Sequence, residues 1–581
     1  MNRSKVVLVQ PPIEDFYLTK KRTIPYGLAC IAASLRAKGF DVEILDALST
    51  GKSGIIDYPA EFSYLNPFYP KRDISNFSLF HEFRHFGYSF EYIGTKIREI
   101  QPFLVGISSL FTAYSNEALK TAKIIKKFYP QCLIVMGGHH PTFFPENVLD
   151  CRAVDFVLRG EGEKTMALLC EALKTGSDPA DIPGIAFIRN GSLHISDSSW
   201  VENPDEFSFP AMDLVNQEFY KRHKRHSTLV VSSRGCPMQC SYCSVSASSA
   251  YAPFRQRPVK DVVKEIKLQI ESRDIGFIDF EDENLCLRKS WFLDLCNRLQ
   301  PLLKGRDIEI RAMNGLYPPS IDNDIVLAMK VLGFKALNLS LGSTSKEQLK
   351  RFKRQDIINA YEKALNLARR HGLECVSYII AAAPGQTADS SLKDLLYLAG
   401  KRTLVGLSIY YPSPGSLDFQ ILKDQGKLPG SSSLMRSSAF PFDDSTSRLE
   451  AVTLLRLSRI INFMKHLVDI FGKIPDPEIF PDVSTLPVIN RETVSRKLLQ
   501  WLLYDAKIRG ATETGQVYDH LSDDRLMEKY IKNHKKEFII ATVSVASLAV
   551  VIGAFLINPY APLMGFLGGL LYMISHIKIK G

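Results

Sequence analysis

The chain has 581 residues, 45% of them hydrophobic and 23% charged, an ordinary globular composition with room for about four domains. Its net charge of +10 is modest for this length, and Lys and Arg are spread along the chain rather than gathered in one arm, so nucleic acid is not expected as a partner. Ten cysteines, three clustered and seven scattered through apolar segments, exclude a disulfide framework and indicate a reducing compartment.

The first residues start at once with a strand-like run, Lys5 to Val9, and lack a signal-peptide pattern, so the catalytic part is expected in the cytoplasm. From there to residue 170, short β-branched runs alternate with helical periods. Val6 to Val9, Val42 to Leu45, Leu104 to Ile107 and Leu133 to Met136 read as strands. The stretches near Pro25 to Lys38, Tyr92 to Glu99 and Asn116 to Phe128 read as helices. Such alternation predicts a parallel sheet covered by helices on both faces, with ligands at the carboxyl ends of the strands. Those ends carry Pro11-Pro12, Ser108-Ser109-Leu110 and Gly137-Gly138-His139-His140. The two histidines are expected to face a ligand or solvent.

Residues 171–227 read as a connector with a hairpin turn at Asn190-Gly191. Strand–helix alternation resumes over 228–422 with six units, whose strands begin near Leu229, Ile275, Ile308, Ala336, Glu374 and Leu404. Directly after the first of them comes Arg234-Gly235-Cys236-Pro237-Met238-Gln239-Cys240-Ser241-Tyr242-Cys243. A cubane iron–sulfur cluster normally takes four thiolates, so three at C-x3-C-x2-C spacing leave one iron open for a non-protein ligand. Structural zinc is the alternative, but only Cys240 and Cys243 form a zinc-like pair and no second pair lies nearby. Past a Gly/Ser/Pro-rich linker, 423–530 reads as a helical C-terminal domain. Phe538 to Ile557 is then an uncharged apolar stretch of about 30 Å as a helix. A turn at Asn558 to Pro562 and a second apolar run, Leu563 to Ile577, complete a predicted transmembrane hairpin over 538–577, with lysines at both ends marking the cytoplasmic side.

The cysteine loop and its flanks resemble the radical S-adenosylmethionine (SAM) superfamily. The N-terminal region resembles the cobalamin-binding domain that precedes many such barrels. It has Ser108-x-Leu110, Gly137-Gly138, Pro25-Tyr26-Gly27-Leu28 and Arg159-Gly160-Glu161-Gly162-Glu163 in the family's order, but not the Asp-x-His-x-x-Gly motif that supplies a cobalt ligand elsewhere. The implied fold is a Rossmann-like cobalamin-binding domain (1–170) followed by a partial (β/α)6 radical SAM barrel (228–422). The implied cofactors are a [4Fe-4S] cluster on Cys236, Cys240 and Cys243, SAM, and cobalamin near Ser108, Leu110, Gly137 and Gly138. By the same resemblance Tyr242, Asp282, Glu283, Ser343, Pro384 and Gly385 are expected to contact SAM. Gly342 stands where relatives commonly place a SAM-positioning glutamate, and Gln386 replaces another Glu. The implied activity is radical attack on an unactivated C–H of a hydrophobic or membrane-lipid substrate, fed by a reductant such as ferredoxin or flavodoxin, and C-methylation is the leading reading. Ring closure, carbon–carbon coupling, and a non-catalytic membrane-anchored cobalamin or redox-sensing module are the alternatives.

Overall fold

The computed structural model describes residues 4–16, 24–206, 209–245, 253–440, 444–482 and 484–533. Its first layer is a seven-stranded sheet. The strands β1 (Lys5–Gln10), β3 (Asp41–Asp46), β6 (Leu104–Ser108), β7 (Leu133–Gly137) and β8 (Phe156–Leu158) run parallel, and the hairpin β9 (Ile185–Arg189) and β10 (Ser192–Ile195) adds two antiparallel strands. Helices α1 (Tyr26–Ala37) and α6 (Gly162–Thr175) cover one face; α2 (Phe90–Ile100) and α3 (Ser115–Phe128) cover the other. β1 is apolar on both sides because both of its faces are covered.

The spatial order is β10-β9-β8-β7-β6-β1-β3. The chain leaves β1 on one side for β3 and returns on the other for β6, so a topological switch point lies between β1 and β6. The hairpin predicted inside the connector exists but belongs to this sheet, where it covers the edge of β8.

A segment between β3 and α2 has no counterpart in the periodicity. Its strand β5 (Phe83–Phe86) lies antiparallel between β4 (Ser53–Ile56) and β2 (Ile13–Asp15), and Phe16, Phe62, Phe77 and Phe83 are fully buried.

The second layer contains the six expected parallel strands: β12 (Arg225–Val230), β15 (Ile275–Phe280), β16 (Glu309–Ala312), β17 (Ala336–Gly342), β18 (Glu374–Ala381) and β19 (Leu404–Ile409). Parallel bridges Ile310–Phe334 and Leu316–Leu339 join the two halves into one arc, and β11 (Lys221–Arg222) lies antiparallel beside β12. Among the helices of this layer are α7 (Val259–Ser272), α8 (Lys289–Leu303), α9 (Asn323–Leu332), α10 (Lys346–Arg351), α11 (Ile358–Arg370), α12 (Ala388–Ala399) and α13 (Leu417–Asp424).

The C-terminal region is not a separate cap. The 24-residue helix α14 (Arg448–Phe471), started by a Ser447/Glu450 capping box, packs on β19 and α12. Its core is continuous with that of the barrel and of the 47–90 segment, and α15 (Arg491–Asp505) and α16 (524–533) complete it. Among the described residues no helix is long and apolar enough to cross a membrane. The hairpin predicted over 538–577 lies outside them.

Candidate cofactor sites

Short strands hold the feet of the cysteine loop. β13 (Ser233–Arg234) pairs with β14 (Arg255–Gln256), so the excursion between them leaves and re-enters the barrel at one place. Inside it Cys243 N–H donates to the Cys240 carbonyl at 3.1 Å. Ser241 fixes the loop to the next layer: its N–H donates to the Phe352 carbonyl at 3.0 Å, and its Oγ to the Arg351 carbonyl at 3.0 Å. The Tyr242 ring meets Phe352 edge-on at 4.8 Å.

The Cys236 thiol is pushed up to about 11, first by burial and then by the neighbouring Cys243 and Cys240 thiols and by Glu283. Crowded thiolates that repel one another are stabilised by a bound cation. No group of three or more His, Cys, Asp or Glu among the described residues is placed to hold a single metal ion. A cubane asks something different, because each thiolate binds its own iron. The donor set therefore fits a three-thiolate cluster.

The acidic loop after β15 divides its roles. Asp282 is not turned toward the barrel mouth: it is buried and accepts from the Ser232 Oγ at 2.7 Å, the Ser233 Oγ at 2.5 Å and the Ser232 N–H at 3.2 Å. These bonds brace the residues just before the cysteines, and a SAM contact would break them. Glu283 is the carboxylate beside Cys236; burial raises it to about 7, with Asp282 adding to the rise.

Ser343 is likewise committed elsewhere, since it is fully buried and donates to the Asp394 carboxylate at 2.8 Å. Missed in the sequence is Arg354. Its guanidinium donates to the Tyr242 hydroxyl at 3.1 Å, the Ser340 Oγ at 3.3 Å and the Ser340 carbonyl at 2.7 Å. A Cβ placed on Gly342, whose φ is +82°, would stand 2.9 Å from this guanidinium. The place of the absent glutamate is filled by a cation that reaches in from the loop after α10.

Pro384 and Gly385 form the turn after β18; Gly385 has φ +70° and its carbonyl accepts from Arg351. Pro384 also lines a cavity of about 340 Å³ with Tyr410 and Pro412 after β19, Leu422 of α13, Leu428, and Tyr64 from the 47–90 segment. Tyr410 and Leu422 share an apolar cluster with Tyr242, so this cavity adjoins the cysteine loop.

On the N-terminal sheet, Ser108 and Leu110 line a small cleft with Gln10, Pro11, Pro12, Phe111 and Tyr114, at the switch point between β1 and β6. Leu110 and Phe111 are half exposed there. Gly138 has φ +120°, and a Cβ on it would stand 2.7 Å from the Ser109 carbonyl oxygen, so its backbone requires glycine. Gly137 is different: a Cβ there would meet nothing nearer than 3.7 Å. Internal packing does not demand that glycine, and the cleft lined by Ser108 and Leu110 at the neighbouring strand end fits part of a nucleotide tail. His139 and His140 are drawn away from solvent, His140 fully and His139 in part. Burial lowers each to about 4, and their rings pack on Phe143 and Phe144.

Charged residues join the two sites. Arg234, two residues before Cys236, bridges Glu163 at 2.5 Å and Glu161 at 3.3 Å across the domain boundary, and Glu161 also holds Arg255 at 2.9 Å. Beneath them the buried Arg257–Glu265 pair, at 2.7 Å, is joined by the Tyr26 hydroxyl, 3.2 Å from Glu265. The Arg159 to Glu163 and Pro25 to Leu28 segments, legible as patterns, thus form a latch on the cysteine loop.

Comparisons with known proteins agree with this architecture. A B12 binding domain model matches residues 79–169, and a radical SAM superfamily model matches 230–397. The chain is 27% identical over 396 residues to an uncharacterized methyltransferase of Pyrococcus horikoshii, covering 67% of this chain and 76% of that one. It is 26% identical over 347 residues to the anaerobic magnesium-protoporphyrin IX monomethyl ester cyclase of Rubrivivax gelatinosus, covering 57% of this chain and 60% of that one. Its fold resembles the radical SAM methyltransferase TsrM of Kitasatospora setae with cobalamin and a [4Fe-4S] cluster bound. The TM-score is 0.56 at 16% identity, covering 92% of this chain and 99% of that one.

The chain carries a B12 binding domain and a radical SAM domain, and that pairing defines its class. It is an enzyme of that class, with a [4Fe-4S] cluster, SAM and cobalamin as its cofactors.

Proposed function

We propose that the enzyme is a C-methyltransferase that acts on an unactivated C–H of a hydrophobic small molecule and is anchored to a membrane by its C-terminal hairpin. The observation that carries this reading is the latch. Glu163 and Glu161 of the cobalamin domain hold Arg234, and with it the cysteine loop. When bound, the cluster and SAM supply hydrogen-atom abstraction and cobalamin supplies methyl transfer.

The chain's own residues bind and orient. Cys236, Cys240 and Cys243 hold the cluster. Arg354 makes no ion pair among the described residues, and it offers the SAM carboxylate a charge-assisted contact in place of the glutamate missing at Gly342. Tyr242, braced by Arg354, and the Pro384-Gly385 turn border the adenosine side, and Glu283 is the carboxylate whose charge acts on Cys236. Ser108, Leu110, Gly137 and Gly138 hold cobalamin. The cavity between Pro384, Tyr410 and Tyr64 receives the apolar part of the substrate. A ferredoxin- or flavodoxin-type protein delivers the electron.

A second reading, radical ring closure, is favoured by the relative named as a cyclase. Turnover with SAM labelled in its methyl group separates the two. Methylation puts label in the product alongside 5′-deoxyadenosine; deoxyadenosine with an unlabelled product would rule methylation out in favour of ring closure or coupling.

A further inference from the structure

We propose that a lipid bilayer docks against the C-terminal end of α14, at the bottom of the barrel, so that the mouth opens away from the membrane. This rests on the reading of 538–577 as a membrane hairpin. The two ends of α14 mark the two ends of the barrel. Arg448, in its first turn, lines the cavity at the mouth. Further along, Asn462 pairs with the backbone of Val405, and the Lys465 ammonium donates to the carbonyls of Leu398, Lys401 and Thr403, at the start of β19. The last turns of α14 therefore lie at the opposite end, and its 24 residues span ~36 Å.

The chain is led toward that opposite end. Asp523 N–H donates to the Thr453 Oγ1 at 2.9 Å, and the Tyr530 hydroxyl reaches the Met464 sulfur at 3.3 Å. As α16 advances it therefore moves down α14. Described residues end at Asn533, and the uncharged apolar stretch begins at Phe538, at most ~17 Å away even fully extended. A segment that enters a bilayer so soon draws the bilayer surface to the nearby flank.

That flank is apolar where it would meet lipid. Ile470 is 54% exposed and Phe471 46%. Ile489, 75% exposed, is brought to the same end by the His466–Glu492 contact at 3.3 Å and by Arg496 over the Phe471 ring at 5.1 Å. Lys532, Lys535 and Lys536 add positive charge for anionic headgroups just before the apolar stretch. A substrate dissolved in the bilayer would have to leave it to reach the mouth, so the substrate chemistry is that of a water-borne or carrier-held molecule with an apolar reacting end.

The test uses the full chain, assembled anaerobically with its cofactors and mixed with phosphatidylcholine/phosphatidylglycerol vesicles whose acyl chains carry bromine. Phe471→Trp probes the proposed contact. Ile421→Trp probes α13, where Leu422 lines the mouth cavity and Ile421 is 43% exposed. After subtraction of the unsubstituted chain, the indole added by F471W is quenched and the one added by I421W is not. Quenching of I421W alone would turn the mouth to the membrane and overturn the proposal. So would the absence of quenching at both positions in a chain that floats with the vesicles. A chain that does not float with vesicles at all overturns the hairpin reading, and the docking surface with it.

Discussion

At the scale of single residues, a cation stands beside the cysteine loop, next to the glycine found where relatives commonly carry a glutamate. Arg354 lies against Gly342 and braces both Tyr242 and Ser340. A hydrogen bond to a charged group contributes about 1.5–3 kcal/mol, so Arg354→Ala is expected to weaken SAM binding ~10- to 150-fold. Arg354→Lys, which keeps the charge but loses the fork, should recover part of that. Equilibrium dialysis of SAM against the cluster-loaded protein checks both, and unchanged affinity in the alanine variant would remove Arg354 from the site. The residue was illegible in the sequence because it comes from the loop after α10, twelve positions past the glycine it approaches, and no spacing rule links the two. The three cysteines stand out in the sequence because their spacing is local to one loop. Asp282 and Ser343 illustrate the same point: a polar residue at a strand end can face the mouth or brace the loop beside it, and the packing of Ser232, Ser233 and Asp394 shows both bracing their neighbours.

Between elements, the latch from the N-terminus of α6 to the cysteine loop is one of several contacts that join the two domains, beside Arg436 to Asp15 and Tyr220 to Asp46. Glu163 and Arg234 are both largely buried, and removing one partner of a buried ion pair costs about 3–5 kcal/mol. Glu161 remains within reach of Arg234, so Glu163→Gln is expected at the low end, about 3 kcal/mol. Urea unfolding followed by tryptophan fluorescence reads this, and a shift under about 1 kcal/mol would put the pair in the class of exposed bridges. The alternation of strands and helices was legible in both layers because buried parallel strands are near-continuous apolar runs. The 47–90 segment was not legible, since its core is made by aromatic residues that meet only after folding, such as Phe16 with Phe83 at 4.8 Å. The C-terminal helices were legible as helices, yet not as part of the barrel's own core, because helical periodicity shows that a face is buried but not what buries it.

Across the whole molecule, two separately built candidate cofactor sites are joined by the latch. Gly137 suits a test, because a Cβ there would stand in ordinary contact, 3.7 Å from the Leu158 carbonyl oxygen, at the strand end proposed to hold cobalamin. The direct measurement is iron, sulfide and cobalt content of anaerobically purified protein for the parent chain, Gly137→Val and Cys240→Ala. The parent should carry all three; G137V should keep iron and sulfide and lose cobalt, while C240A should lose iron and sulfide and keep cobalt. Full cobalt in G137V, or full cluster iron in C240A, would contradict the account.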